Sequence, residues 1–157
     1  MFWTKGTVGM TTTAVASTDE EIKSCFAVMS ELRPHLRADT FVGLVRHMEG
    51  EGYRLAFSEE SGTVVAVAGY RIFTNLVVGK NLYVDDLVTA DAHRSKGYGE
   101  LMLSWLGNVA KEAGCAYFHL DSGTQRHRAH RFYLRQGFDI TSFHFGQRIA
   151  REMPEAF

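Results

Sequence analysis

Residues 83–106, YVDDLVTADAHRSKGYGELMLSWL, carry the pattern around which the rest of the chain is arranged. Tyr83 to Thr89 is apolar enough for an interior strand, apart from the adjacent acids Asp85 and Asp86. A polar connection follows, then the turn Arg94-Ser95-Lys96-Gly97-Tyr98-Gly99. Beyond it Leu101, Met102, Trp105, Leu106, Val109, Ala110 and Ala113 recur at helical spacing as a broad apolar stripe. Strand, glycine turn and helix in that order place unpaired N–H groups, a partial positive charge and two cations at one point. Such a point suits a phosphate.

Downstream, Gly114 ends the helix and 116–122 (AYFHLDS) reads as a strand, so 81–122 forms a parallel crossover unit. Residues 125–136 carry Ala129, Phe132 and Tyr133 on one helical face, with Gly137 as the stop, and 138–141 and 143–150 read as two closing strands. Upstream, 11–17 is a strand, and Thr18-Asp19-Glu20-Glu21 is a capping box opening a helix that Pro34 halts. A second helix carries Phe41, Leu44, Val45 and Met48 on its apolar face. Residues 53–59 and 63–73 form a hairpin across Glu60-Ser61-Gly62, and the strand 81–89 follows. The order β-α-α-β-β-β-α-β-α-β-β predicts one α/β domain (α+β in some schemes) with a mixed sheet of about seven strands and about four helices. Residues 1–10 are expected to be an extension or expression remnant, with Met10 as an alternative start, and 11–157 the domain.

Composition narrows the function. The chain of 157 residues has a formal net charge of −1, which gives no general attraction to nucleic acid or an anionic membrane. Anion recognition must then be local. The longest aliphatic run, 64–68, is far too short for a bilayer span. Cys25 and Cys115 lie far apart with no metal spacing, which predicts reduced thiols, a cytoplasmic location and no metal.

The glycine turn does not fit a dinucleotide fold well. Met102 stands where a third glycine belongs, and a long connection separates Thr89 from Gly97. No Walker lysine is present. The acids Asp85 and Asp86 should face opposite sides of the sheet, because side chains alternate along a strand. The cations of 126–135 are confined to one helix, with Arg131 and Arg135 reading as a solvated i, i+4 pair, and the patch favours a polyanionic small molecule over nucleic acid.

Three motifs together, strand 81–89, R-x-x-G-x-G at 94–99 and A-x-x-F-Y-x-x-x-G-F at 129–138, resemble the GCN5-related N-acetyltransferases. The resemblance implies acetyl-CoA as co-substrate, a primary amine as acceptor and a sheet splayed to admit the cofactor's arm. Carried over residue by residue, the backbone amides of Arg94, Ser95, Lys96, Gly97, Tyr98 and Gly99 would hold the pyrophosphate. Backbone groups of Leu87, Val88 and Thr89 would pair with the pantetheine. The family often has Asn where this chain has Arg126, which could meet a phosphate instead. A homodimer is also implied.

The implied chemistry is direct attack of the amine on the thioester. An amine of pKa about 10.4 is unprotonated in roughly one molecule in 2,500 at neutral pH, a handicap of about 4.6 kcal/mol that rewards a base. Asp85 and Asp86 are the candidates, with Asp85 preferred, and Tyr133 would protonate the departing thiolate. Tyr70, Arg71, Phe73, Asp121, Ser122 and His144 would line the acceptor side. The competing readings are an acyl-CoA-binding regulatory domain without turnover and a dinucleotide-binding oxidoreductase.

Overall fold

The computed structural model describes residues 10–150, so the expected extension lies outside the described residues except for Met10. The elements are β1 (Thr11–Val15), α1 (Asp19–Leu32), α2 (Phe41–Gly50), β2 (Tyr53–Glu60), β3 (Thr63–Asn75), β4 (Gly79–Thr89), α3 (Tyr98–Glu112), β5 (Tyr117–Leu120) and α4 (His127–Arg135). The sheet runs in sequence order, antiparallel from β1 to β4 and parallel between β4 and β5.

The capping box forms as the sequence predicts. Thr18 Oγ accepts from the Glu21 N–H, and the Glu21 carboxylate accepts from the Thr18 N–H at 3.0 Å. Those contacts satisfy N–H groups that a helix start leaves open, and they hold the Glu21 pKa below its ordinary value.

Helices cover both faces of the sheet. On one, Ile22, Cys25, Val28 and Met29 of α1 and Phe41 and Val45 of α2 pack on Tyr53, Leu55, Phe57 and Val67. On the other, Tyr98, Met102, Leu106 and Ala110 of α3 pack on Ala56, Val65, Ala66, Ala68, Leu82 and Val84. Burial raises the Cys25 thiol to about 12, so it acts as a small apolar side chain.

The sheet has five strands, not about seven. The expected strands at 138–141 and 143–150 do not form, and no regular element follows α4 among the described residues. Phe138 is the anchored residue. Its N–H donates to the Tyr133 carbonyl at 3.1 Å and its ring lies 5.2 Å from that of Phe118. Beyond it Ile140, Phe143, Phe145 and Ile149 are exposed. Alternating apolar residues give a segment the composition of a strand, but a strand exists only where a neighbouring edge accepts its hydrogen bonds.

Candidate active site

The β4–β5 ladder is short. It pairs Asn81 through Val84 with Tyr117 through Leu120 and stops there. Leu87, Val88 and Thr89 remain paired with Ala68, Val67 and Ala66 of β3, while their other edge has no strand. β5 itself ends at Leu120, so Leu87 to Thr89 lie beyond its last pair with an edge free of any strand among the described residues.

A cleft of about 760 Å³ opens beside this free edge. Leu87, Val88, Thr89, Arg94, Ser95, Gly97, Tyr98, Gly99, Arg126 and Tyr133 all line it, so strand, turn and last helix meet as expected. Lys96 does not line it. Gln125, Arg128, Phe132, Arg135 and Gln136 do as well; Arg128 and Phe132 belong to the cationic helix and its motif, whereas Arg135 lines the cleft and not the solvated face expected of it, because the two have the same composition.

The two glycines of the turn serve different ends. Gly97 caps α3 with φ at +89°, a left-handed conformation that a Cβ disfavours. Gly99 is instead a close-approach glycine, since a Cβ there would lie 3.3 Å from the Phe132 ring. No side chain caps the start of α3, so its first N–H groups have no side-chain acceptor. Arg94 pairs with Asp91 at 2.5 Å at the cleft mouth. Burial holds the Tyr133 phenol above its ordinary pKa, partly offset by Arg126, so the group carries its proton at neutral pH.

Asp85 and Asp86 do not line this cleft, and they do not face opposite sides of the sheet. Gly69 pairs with Asp86 and Tyr70 with Val84, leaving Asp85 as the extra residue of a β-bulge. A bulge cancels one step of the alternation, and both carboxylates converge on the α1/α2 side. Arg33, just after α1, donates from Nε to Asp86 Oδ1 at 2.8 Å and from Nη2 to the Asp85 carbonyl at 3.2 Å. The buried Tyr53 hydroxyl donates to Asp86 Oδ2 at 3.0 Å. Arg71 donates from Nε to Asp85 Oδ2 at 3.1 Å and lies over the Tyr53 ring. Burial raises the Asp85 pKa against the opposing pull of Arg71, and burial followed by Asp86 holds Tyr53 well above its ordinary value. Gly69 makes this network possible, because a Cβ there would overlap the Tyr53 hydroxyl. Arg33 and Tyr53 escaped the sequence reading because they lie 53 and 33 residues from Asp86.

Of the residues expected on the acceptor side, Tyr70 is buried against Trp105 on the α3 face and does not reach it. Asp121 accepts from the Tyr83 hydroxyl at 2.8 Å and lies 3.7 Å from His144. Ser122 Oγ is buried without a partner. Phe73 is exposed near the end of β3.

A sequence model described as the acetyltransferase (GNAT) family matches residues 17–138, from the start of α1 through the cleft. The chain belongs to this family. The GNAT assignment is reinforced by the Bacillus subtilis protein named uncharacterized N-acetyltransferase YhdJ, 36% identical over 132 residues, 83% of this chain and 93% of that protein. The aminoalkylphosphonate N-acetyltransferase of Salmonella typhimurium is 34% identical over 66 residues, covering 42% of this chain and 43% of the relative. Among solved structures, the aminoglycoside N-acetyltransferase AAC(6')-Iy in complex with CoA superposes with a TM-score of 0.80 at 11% identity, over 89% of this chain and 95% of that one. That likeness concerns the fold. As a GNAT protein the chain is an acyltransferase that uses acetyl-CoA and an amine acceptor. Among the described residues no group of three or more His, Cys, Asp or Glu side chains could hold a metal, and no helix is long and apolar enough to cross a membrane.

Proposed function

We propose that the domain, 11–157, acetylates a primary amine of a small molecule or protein by direct attack on acetyl-CoA bound in the β4–α3–α4 cleft. One observation carries this reading: the free edge of Leu87, Val88 and Thr89 opens into the cleft that the uncapped start of α3 also lines. An arm with amide groups adds to that edge as a further strand would, and the diphosphate meets the N–H groups at Arg94–Gly99. Arg126, Arg128 and Arg135 supply positive charge for the phosphates, and Lys96, outside the lining, adds to the field. A backbone N–H near Val88 would steady the oxyanion, and Tyr133 would give its proton to the departing thiolate.

Asp85 and Asp86 stand on the other side of β4, where an ammonium would approach. With Arg71 and Arg33 as partners they hold charge in place and draw the amine to the thioester. The proposed location is cytoplasmic and the proposed assembly a homodimer, which a light-scattering mass would test.

The reading is tested by titrating acetyl-CoA calorimetrically and then following thiol release over a panel of spermidine, kanamycin, 2-aminoethylphosphonate, amino acids and peptides. Saturable binding and amine-dependent release are expected. Binding without release from any amine would favour a regulatory domain, and absence of binding would contradict the donor site.

A further inference from the structure

His119 lies one residue short of the end of the β4–β5 ladder, and its hydrogen bonding fixes where its proton sits. Asn81, fully buried, donates through Nδ2 to the carbonyl oxygens of Phe73 at 3.1 Å and Gly79 at 2.9 Å. Carbonyl oxygens only accept, so the amide's orientation is determined and its Oδ1 is left as an acceptor. That oxygen lies 3.0 Å from His119 Nε2, which must therefore carry a hydrogen. In the neutral ring the lone pair is then on Nδ1, and that nitrogen makes no hydrogen bond to a described residue.

The ring's position gives that lone pair a use. His119 pairs with Tyr83 across the parallel ladder, and Tyr83 pairs with Arg71 across the antiparallel one, so all three share the sheet face that Asp85 and Asp86 reach. Asp85 is the first β4 residue beyond the ladder, three residues before the Val88 N–H that would steady the oxyanion. Both acids, by contrast, are engaged by arginines.

Resting on the acetyltransferase reading above, we infer that His119 Nδ1 takes the proton from the acceptor ammonium. The ammonium gives one proton to Nδ1, making an imidazolium. The freed nitrogen pair forms the C–N bond to the thioester carbonyl carbon, and collapse of the tetrahedral adduct breaks the C–S bond. Tyr133 protonates the thiolate and recovers a proton, through solvent, from the nitrogen as it becomes an amide. His119 then releases its proton to solvent, so each turnover yields amide, thiol and one proton.

The surroundings agree with this role. Tyr83 and Tyr117 each place a ring 5.2 Å from that of His119, and Asp121 follows on the same face, hydrogen-bonded to Tyr83 and near His144. Burial lowers the His119 pKa and Asp121 opposes it, with burial the larger cause. The ring is thus neutral and receptive at pH 7, and it loses that capacity as pH falls through a value below the ordinary imidazole one.

The test is the pH profile of kcat/KM with the panel amine that gives the fastest release. In the native enzyme it should rise through the imidazole range and then level off well below the amine pKa. His119→Gln keeps an N–H for Asn81 but no base, so its kcat should fall about 100-fold at pH 7 and its profile should keep climbing about tenfold per pH unit toward the amine pKa. Acetyl-CoA affinity should not change. Asp85→Asn should raise KM yet keep the plateau. A His119→Gln profile that still levels off, or a plateau lost instead in Asp85→Asn, would overturn the inference. Nitrogen-15 spectra of the native protein test it without any variant: His119 must be the neutral Nε2–H tautomer, and an Nδ1–H tautomer would contradict it. Native protein that fails to bind acetyl-CoA would overturn the donor site itself, an outcome separable from all of these.

Discussion

The body from β1 to α3 and the end made of β5, α4 and the segment after it are built to different standards. The body has cores on both faces of its sheet, with Ile22, Leu55, Leu82, Met102 and Leu106 fully buried. In the end, no residue of β5 or α4 is fully buried, although α4 is strongly amphipathic, with Phe132 and Tyr133 on one side and arginines on the other. With the donor in the proposed site, the difference would decide where its binding energy goes. One wall of the cleft, β4 and the start of α3, belongs to the body. The other, α4, buries little apolar surface, and a cofactor in the proposed site would fill the space between them. Segments with little buried apolar surface open first, and ligands that bind across them shift that equilibrium.

The contrast can be broken by truncating each part in turn. Met102→Ala, in the body, should lower stability by about 2–5 kcal/mol in urea denaturation, because the cavity is enclosed on every side. Tyr133→Phe should lower kcat about 100-fold, equivalent to about 2.7 kcal/mol, with acetyl-CoA affinity kept. Equal turnover would remove Tyr133 from the chemistry. Gly97→Ala should cost about 1–2 kcal/mol from its left-handed backbone and also weaken acetyl-CoA binding, which calorimetry reads directly. Leu134→Ala, on the exposed side of α4, should change stability by no more than about 0.5 kcal/mol. A loss there as large as at Met102 would show the end to be as tightly packed as the body.

The same division explains what could be read from the sequence. Local signals were sufficient for the capping box at Thr18, the strand–turn–helix unit around Gly97, and Tyr133 beside the cleft. These depend on spacing within a few residues or on a motif of fixed length. The acid pair was misplaced because the bulge depends on Gly69 and Tyr70 in the neighbouring strand, and nothing near Asp85 announces it. The Arg33 partnership with Asp86 spans 53 residues and exists only after α1 docks. The last two strands were expected from alternation at 138–150, but alternation specifies a face and not the edge that must receive it.

Hydrogen exchange with and without acetyl-CoA tests the donor site between β4 and α4. Slowed exchange is expected at Leu87–Gly99 and at 126–136, with the amides of β2 and β3 nearly unchanged because they are already protected. Protection confined to α1 and α2, or none at saturating acetyl-CoA, would contradict a donor site between β4 and α4.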